Sequence, residues 1–463
     1  MTPKTTTRNP IAPGPKASLL GNLNDFQRDP FELLLSLQQE YGEIVRFRLG
    51  PNLVHLVTDP AYIKYVLEDN NANYVRGKFY QNFKIFFGRG ILTSDGAFWL
   101  KHRRVVQPLF HRHVLNATAG TITDAASDLI ARWQKKAELQ QTIDLLPEML
   151  QVSLSALSKA MFTVDISKDF NSFSQFTHFI LQAMMPTDSL ARMLPRWLPT
   201  PYNCTITQVQ NTFAALIDRV IEAHRSELRS SNDLVSHLLS MQEAENAKDH
   251  WTHEEIRDEL TTIFLAGYET TGTGLAWTLY AIAQHPVVYQ KLIAELDRVL
   301  HGQIPSVDDL LCLPYLRQIV DESLRMYPPI WLYPRDSTND DTIGGYHIPA
   351  HTTIVLSPYA SHHNPQYWQD PNIFDPERFT PERIAKRPRY AYFPFGGGQR
   401  QCIGSHMALL QIQLITAMIT QHYHLQVVPG QSIVCGPLVS LRPLNGIQVT
   451  VFRRGDPLWS PLA

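Results

Sequence analysis

A long apolar stretch in the second half of the chain sets the strongest constraint on its fold. Residues 252–284 predict one helix, because the capping-box pattern from Thr252 to Glu255 opens it and Pro286 follows its end. At ~1.5 Å per residue, a helix of this length extends about 45 Å, enough to cross a whole domain. Its middle, residues 263–267, is apolar on nearly every side, which is typical of a helix surrounded by other helices.

The rest of the pattern predicts a mainly α protein with small β-sheets. Apolar periodicity indicates further helices, and short β-branched runs indicate strands. The helices are expected at 30–41, 98–110, 121–136, 313–327 and 405–421, and the strands at 44–49 and 53–58. No internal repeat or low-complexity linker divides the 463 residues. We therefore expect one domain over residues 1–463, organised around a buried group, with a polar, flexible N-terminal segment at 1–16.

Charge and cysteine content exclude several classes of protein. The formal net charge of -2 provides no general attraction to nucleic acid. Residues 1–16 contain neither a membrane-spanning run nor the apolar core of a signal peptide, so a soluble, cytoplasmic protein without a membrane anchor is expected. The four cysteines, Cys204, Cys312, Cys402 and Cys435, lie far apart and form no C-x-x-C pair. Neither a disulfide framework nor a zinc cluster is indicated.

The segment from Phe395 to Gly404 carries the clearest chemical signal. Its glycines allow a tight loop that presents Cys402 immediately before the helix predicted at 405–421. Free N–H groups and the helix dipole at such a position stabilise a thiolate. Arg400 could pair with an anionic group of a cofactor. The alternative is a structural glycine turn that holds an inert, buried cysteine.

This segment resembles the haem-ligand loop of the cytochromes P450, F-x-x-G-x-R-x-C-x-G, at Phe395, Gly398, Arg400, Cys402 and Gly404. The resemblance implies a cytochrome P450 fold around haem b, with the Cys402 thiolate as axial ligand to the iron. It also implies a porphyrin that is not covalently attached. Fatty-acid ω-hydroxylases of animals often esterify haem to a glutamate just before the central-helix glycine, and this chain has Ala266 there.

A second resemblance concerns Glu322 and Arg325, which match the family's E-x-x-R motif, and Arg378, which lies in a P-E-R-F segment. In isolation, a Glu and an Arg one helical turn apart usually form a solvated surface pair. The resemblance implies instead that the three side chains form a buried, structural triad.

Three further residues resemble the family's binding groups for the haem propionates. Trp99 and Arg103 match the W-x-x-x-R motif, and Arg335 matches an arginine in the segment after E-x-x-R. Together with Arg400 they would hold two carboxylates. Each arginine alone would more often be a surface residue.

The central helix contains Ala266-Gly267-Tyr268-Glu269-Thr270-Thr271, which resembles the family's A-G-x-(D/E)-T-T motif. Oxygen activation needs protons delivered without flooding the pocket with water. We therefore expect Thr270 to hydrogen-bond oxygen at the iron and Glu269 to pass protons. The alternative is that Thr270 only bonds back to a carbonyl of its own helix.

The resemblance implies a monooxygenase that inserts one oxygen atom from O2 into an apolar molecule. Electrons would come from a separate ferredoxin or flavodoxin with its reductase, because the cysteines cannot also build an iron–sulfur centre. A monomer is expected. The alternatives are a peroxide-driven peroxygenase, a haem-thiolate isomerase and a non-catalytic haem sensor. The intact Glu269 and Thr270 favour the monooxygenase.

Residues in the family's pocket positions are apolar, so the substrate should be largely hydrocarbon. The pocket residues implied by the resemblance are Phe83, Phe87, Leu92, Ala266, Ile330, Leu332 and Val439. Either phenylalanine could equally be plain core. Residues 90–104 look most like the branch that oxidises fatty acids and related lipids. A fatty acid is therefore the first expectation, and a terpenoid or polyketide the second.

Overall fold

A computed structural model describes residues 9–16, 20–166, 170–185, 194–227, 233–242 and 250–456. This part of the chain is mainly helical with small β-sheets, which confirms the predicted fold class. Its helices are α1 (Leu23–Arg28), α2 (Pro30–Tyr41), α3 (Pro60–Lys64), α4 (Phe79–Phe87), α5 (Gly96–Val106), α6 (Arg112–Asn116), α7 (Ala119–Glu138), α8 (Leu145–Phe162), α9 (Phe170–Ala183), α10 (Pro201–Glu227), α11 (Leu234–Gln242), α12 (His253–Gln284), α13 (Pro286–Leu300), α14 (Val307–Leu311), α15 (Pro314–Met326), α16 (Pro358–His362), α17 (Pro381–Ala385) and α18 (Ser405–His422).

In the described part of the chain, the strands form four small sheets. The strands are β1 (Ile44–Leu49), β2 (Asn52–Val57), β3 (Tyr74–Val75), β4 (Thr142–Asp144), β5 (Tyr333–Ser337), β6 (Asp341–Ile343), β7 (Tyr346–Ile348), β8 (Thr353–Leu356), β9 (Tyr423–Val427), β10 (Cys435–Pro437), β11 (Leu441–Pro443) and β12 (Gln448–Arg453). The largest sheet has the order β1-β2-β8-β5-β3, in which only β2 and β8 run parallel. The other sheets are β4-β12-β9 and the hairpins β6-β7 and β10-β11.

The predicted elements form with small shifts at their ends. The central helix, α12, begins after Thr252, whose side chain and backbone complete the predicted capping box with Glu255. The helix expected at 98–110 is divided into α5 and a 3-10 turn at Gln107–Phe110. Pro108 explains the change, because proline has no N–H to continue an α-helical ladder.

The chain forms two compact units, each assembled from several segments. The first unit contains Met1–Asn82, Ile330–Ile373 and Glu382–Cys402. Its core packs the apolar face of the five-stranded sheet, including Val57 and Leu356, against Tyr390 and Phe393. Residues 9–16 join this unit, since the Pro13 carbonyl accepts a hydrogen bond from the N–H of Arg46 at 2.8 Å. Residues 1–8 of the N-terminal segment predicted to be flexible lie outside the described residues, and the one-domain expectation stays a prediction.

The second unit contains Phe83–Pro329, Phe374–Pro381 and Ile403–Ala463, with α12 in its interior. Glycines allow α12 and α8 to pack closely. A Cβ atom at Gly272 would lie 2.8 Å from the Cα of Leu150, so no larger residue fits there without movement. Most side chains of α12 between Ile256 and Ile282 are buried, as its apolar sequence predicts.

Candidate active site

In the first unit, the loop that ends at Cys402 is closed by its own backbone. The Cys402 N–H donates to the Phe395 carbonyl at 2.9 Å. Gly398 adopts φ +63°, and a Cβ atom there would lie 2.0 Å from the carbonyl oxygen of Leu67. Only glycine meets both conditions, which explains its place in the motif. Cys402, at the end of this loop, lies outside the buried core.

Tyr333, which the sequence reasoning did not single out, also belongs to this region. Its hydroxyl donates to the Pro394 carbonyl at 2.7 Å. Burial raises the pKa of Tyr333 well above its ordinary value, and the nearby negative charge of Cys402 raises this pKa further. The tyrosine therefore remains protonated beside the ligand loop. A lone tyrosine carries no motif that could have predicted this contact.

The predicted propionate-binding Arg335 lies in a positively charged part of the same unit. Its side chain is buried and donates from Nη1 to the Pro334 carbonyl at 2.8 Å. Arg76, also buried, lies over the ring of Tyr80 at 4.5 Å from its centroid. Burial raises the pKa of Tyr80, but Arg76 and Arg335 outweigh this effect and lower it below its ordinary value. Arg76 is thus a second basic residue here, with no sequence signal beyond a lone arginine.

In the second unit, α5 carries the predicted W-x-x-x-R pair. Trp99 is buried, whereas Arg103 is partly exposed and donates from Nε to Oε1 of Gln107 at 3.0 Å. The bond to Gln107 orients the guanidinium along the surface of α5. This side chain can therefore reach an anionic group outside the helix without leaving a buried charge behind.

Between Glu259 and Leu279, the central helix is buried except at Ala266, Gly267 and Thr270, which form an open stripe. Ala266 is exposed and Thr270, one turn later, is partly exposed, although their neighbours Leu265, Tyr268 and Glu269 are buried. Thr270 Oγ1 donates to the Ala266 carbonyl at 2.8 Å. This back-bond is the alternative considered from the sequence. The hydroxyl oxygen can still accept a hydrogen bond.

Glu269, next to this stripe in the sequence, is buried. Its Oε1 accepts hydrogen bonds from Arg442 at 2.6 Å, from Ser440 at 2.7 Å and from Thr273 at 3.1 Å. Glu269 and Thr270 therefore do not share a hydrogen-bond network. The proton-transfer role expected for Glu269 would require its carboxylate to leave Arg442.

The structure brings the three residues of the predicted structural triad together within the second unit. Arg325 binds Glu322 through two hydrogen bonds, at 2.6 and 2.8 Å, and both side chains are fully buried. Arg378 Nε lies 3.4 Å from Glu322, which also accepts the Asp375 N–H at 2.9 Å. Burial raises the pKa of Glu322, while Arg325 acts in the opposite direction. The structural role of these three residues stays a prediction.

The residues predicted to line the substrate pocket differ in exposure. Phe83 and Phe87 are buried and pack on each other with ring centroids 5.9 Å apart, which is typical of core. Leu92 and Val439 are partly exposed, as are Ile330 and Leu332 in the first unit. Each unit thus presents apolar surface that could contact a hydrocarbon.

Comparison with known proteins identifies the family. A family model described as Cytochrome P450 matches residues 12–447. The chain belongs to the cytochrome P450 family. It is similar to cyclooctatin synthase of Streptomyces melanosporofaciens, with 31% identity over 443 residues and 94% of each chain covered. Cyclooctat-9-en-7-ol 5-monooxygenase of the same organism is 31% identical over 91% of this chain and 90% of that one.

A third relative of this P450, pentalenene oxygenase of Streptomyces avermitilis, is 27% identical over 91% of this chain and 92% of that one. Among solved structures, the haem domain of cytochrome P450DA superposes with a TM-score of 0.85 at 23% identity, covering 96% of this chain and 98% of that one. The predicted cytochrome P450 fold is thereby confirmed. The protein is a monooxygenase that uses haem b with thiolate ligation.

The residues present fit this cofactor. A flat apolar macrocycle needs an open apolar surface, and the stripe at Ala266 provides one in the buried middle of the helix. The iron needs a soft thiolate, and Cys402 exposes its thiol at the end of a fixed loop. The propionates need cations, and Arg335 and Arg103 are positioned by hydrogen bonds. Among the residues that the structure describes, no helix is both long and apolar enough to cross a membrane.

Proposed function

We propose that this P450 hydroxylates a neutral, polycyclic terpenoid, and that Cys402 would bind the haem iron as a thiolate. Haem b supplies the activation of O2 when it is bound. The observation that carries the proposal is the open stripe at Ala266 and Thr270, which interrupts the buried middle of the central helix. A substrate in contact with this stripe would meet a methyl group and one hydroxyl.

The chain's own residues would then act in three ways. Arg103, Arg335 and Arg400 would bind the propionates and fix the orientation of the macrocycle. Apolar side chains such as Leu92 and Val439 would exclude water from the substrate. Thr270, by turning its hydroxyl away from the Ala266 carbonyl, would hold a proton donor at the open face.

A terpenoid is favoured over the fatty acid that the sequence first indicated. The relatives named above include proteins whose names state that they oxygenate pentalenene and cyclooctat-9-en-7-ol. A fatty acid would also need a cation for its carboxylate. Arg442, close in sequence to the predicted pocket residue Val439, is already paired with Glu269. The charge of this guanidinium is therefore neutralised, which favours an uncharged substrate.

Electrons would come from a separate ferredoxin or flavodoxin with its reductase, as the sequence analysis expected. Exposed basic residues, including Arg104 and Arg112, support this part of the proposal. The acidic surface of such a carrier would be attracted to them.

The test is a spectral titration of the ferric holoprotein with a matched panel of ligands. Polycyclic diterpene alcohols should shift the iron toward high spin, as water leaves it, with dissociation constants at least roughly tenfold below those of C20 fatty acids. Turnover with a surrogate ferredoxin and reductase should yield a hydroxylated terpenoid. Tight binding and hydroxylation of fatty acids alone would overturn the substrate assignment.

A further inference from the structure

Two adjacent carboxylates of the central helix bind the backbone of the segment at residues 87–94. The Arg89 N–H donates to Asp258 Oδ2 at 2.7 Å, and the Ile91 N–H donates to Glu259 Oε2 at 3.1 Å. This segment includes Leu92, one of the residues predicted to contact substrate. A turn that would otherwise have unpaired N–H groups is thus attached to the helix that carries Ala266.

A third residue of the central helix completes the attachment. Thr262 Oγ1 donates to the Phe87 carbonyl at 3.2 Å in a buried position. The two glycines of the segment allow the close approach. A Cβ atom at Gly88 would lie 2.0 Å from Asp258, and one at Gly90 would lie 2.3 Å from Thr262. We refer to Asp258, Glu259 and Thr262 together as the clasp.

Glu259 also binds a histidine of α5, the helix of the W-x-x-x-R motif. The same oxygen, Oε2, lies 2.7 Å from Nδ1 of His102, and both side chains are completely buried. The imidazole is held between two aromatic rings, with centroids 4.2 Å away for Phe98 and 4.0 Å away for Trp251. It therefore cannot follow Glu259 if the carboxylate moves, and it fixes the position of that oxygen.

Two cations contact the rings of this aromatic stack. Arg89, in the attached segment, lies 4.3 Å from the ring centroid of Phe98. Lys101 lies 5.7 Å from the ring of Trp251 and donates to the His250 carbonyl at 2.7 Å. The segment, α5 and the start of α12 are thus joined through ring contacts as well as through Glu259.

We propose that Glu259 is a positioning residue for the substrate pocket: by binding Ile91 and His102 on one oxygen, it fixes the segment that carries Leu92 relative to Ala266. Asp258 and Thr262 act with it through Arg89 and Phe87. This inference rests on the proposed function only in taking Leu92 as pocket wall. Loss of the clasp should loosen the segment, which would weaken the binding of large ligands more than small ones.

The first test is Glu259→Gln, compared with Glu295→Gln as a matched control. Glu295 is also a buried carboxylate that accepts two backbone N–H groups, from Tyr315 and Leu316, each at 2.9 Å. Hydrogen exchange of the holoprotein, followed by mass spectrometry of peptides, should show exchange at 87–94 faster by roughly tenfold in Glu259→Gln alone. In the control, only residues near α15 should exchange faster.

The second test uses isosteric variants that fold more easily. Thr262→Val removes the bond to Phe87, whereas Thr278→Val removes only a 2.8 Å bond to the Gly274 carbonyl of the same helix. Thr262→Val should speed exchange at 87–94 by roughly threefold. Thr278→Val should leave it at the wild-type rate.

Spectral titration with azoles distinguishes positioning from general stability. Imidazole contacts little beyond the iron, whereas a triaryl imidazole fills the pocket. Glu259→Gln should raise the dissociation constant of the triaryl imidazole roughly tenfold and leave that of imidazole unchanged. Because azoles bind haem whatever the natural substrate, this result is independent of the terpenoid assignment. Unchanged exchange at 87–94 in both clasp variants, or equal loss of affinity for both azoles, would overturn the inference.

Discussion

Arg442 donates a hydrogen bond from Nε to Oε1 of Glu269 at 2.6 Å, and both side chains are buried. The pair joins the short strand β11 to the middle of the central helix. Removing one partner would leave an uncompensated charge in the interior, which costs far more than losing a surface ion pair.

Replacement of Arg442 by Gln should therefore lower the free energy of unfolding by roughly 3–5 kcal/mol. The matched control is Arg454→Gln, because Arg454 pairs with Asp297 at the surface, where 50% of the aspartate side chain is exposed. That change should cost less than about 1 kcal/mol. Urea unfolding of the two holoproteins measures the difference. Similar losses of unfolding free energy in the two variants would show that the buried Arg442–Glu269 pair contributes no more than a surface pair.

Replacement of Thr270 by Val should uncouple electron consumption from product formation, because the open stripe then lacks a hydroxyl. Substrate binding should survive, while product formed per electron pair should fall roughly ten- to a thousand-fold. Thr271→Val is the control, since Thr271 is buried on another side of the helix. Peroxide release and product yield, measured side by side, decide the outcome. If Thr270→Val formed as much product per electron pair as the unsubstituted enzyme, Thr270 would not be the proton donor.

The reduced carbon monoxide complex should show the red-shifted Soret band of thiolate ligation, and Cys402→His should abolish it. The reason is that sulfur ligation pushes electron density onto the iron, whereas imidazole does so less. Cys435→Ser should leave the band unchanged, because Cys435 lies in the hairpin strand β10. A wild-type band at the position typical of histidine ligation would contradict the assignment of Cys402.

The sequence contained enough information for the fold class and for residues held by local patterns. The capping box at Thr252, the glycine at 398 and the one-turn spacing of Glu322 and Arg325 are local patterns, and the structure contains each. Contacts between segments that are distant in the sequence have no such local pattern. The pairing of Glu269 with Arg442 joins residues 173 positions apart, so no local pattern could have predicted it, and the proton-transfer role of Glu269 stays a prediction.

Acid should destabilise the protein partly through His55, a buried residue of β2. Burial, together with the positive charges of Arg46 and His347, lowers the pKa of His55 to about 4. The unfolded chain binds the proton more readily, with a pKa of about 6.5. The stability that comes from keeping His55 neutral is thus complete above about pH 6.5 and is lost as the pH falls toward 4.

His55→Gln should therefore make the stability of the protein less dependent on pH below about pH 7. The loss of unfolding free energy between pH 7 and pH 4 should shrink by up to about 3 kcal/mol relative to the unsubstituted protein. His113→Gln, at an exposed position, should retain the full loss. Urea unfolding at a series of pH values measures both. If His55→Gln lost as much unfolding free energy between pH 7 and pH 4 as the unsubstituted protein, this explanation of the acid sensitivity would be wrong.

Basic residues that could attract the electron carrier differ in whether they already contact other groups of the protein. Lys101 is within 3.7 Å of Glu255 and donates to the His250 carbonyl, so much of its charge is satisfied within the protein. Arg389 pairs with Glu68 at 3.1 Å. Arg387 lies 3.9 Å from the ring centroid of Trp368.

In contrast, Arg104 in α5 and Arg112 in α6 are exposed, and so is Lys386 in the first unit. Reversal of Arg104 and Arg112 to Glu should slow ferredoxin-supported turnover at low salt much more than Arg389→Glu does, because an arginine without a carboxylate partner contributes its full field to association. Raising the ionic strength to ~0.5 M, where the Debye length falls below about 5 Å, should slow the unsubstituted enzyme to a similar degree. Peroxide-supported turnover requires no docking and should be insensitive to both changes. Arg298→Glu, at an exposed position of α13, controls for net charge. If this control slows turnover as much as the reversal of Arg104 and Arg112, the effect is one of overall charge and the docking surface lies elsewhere.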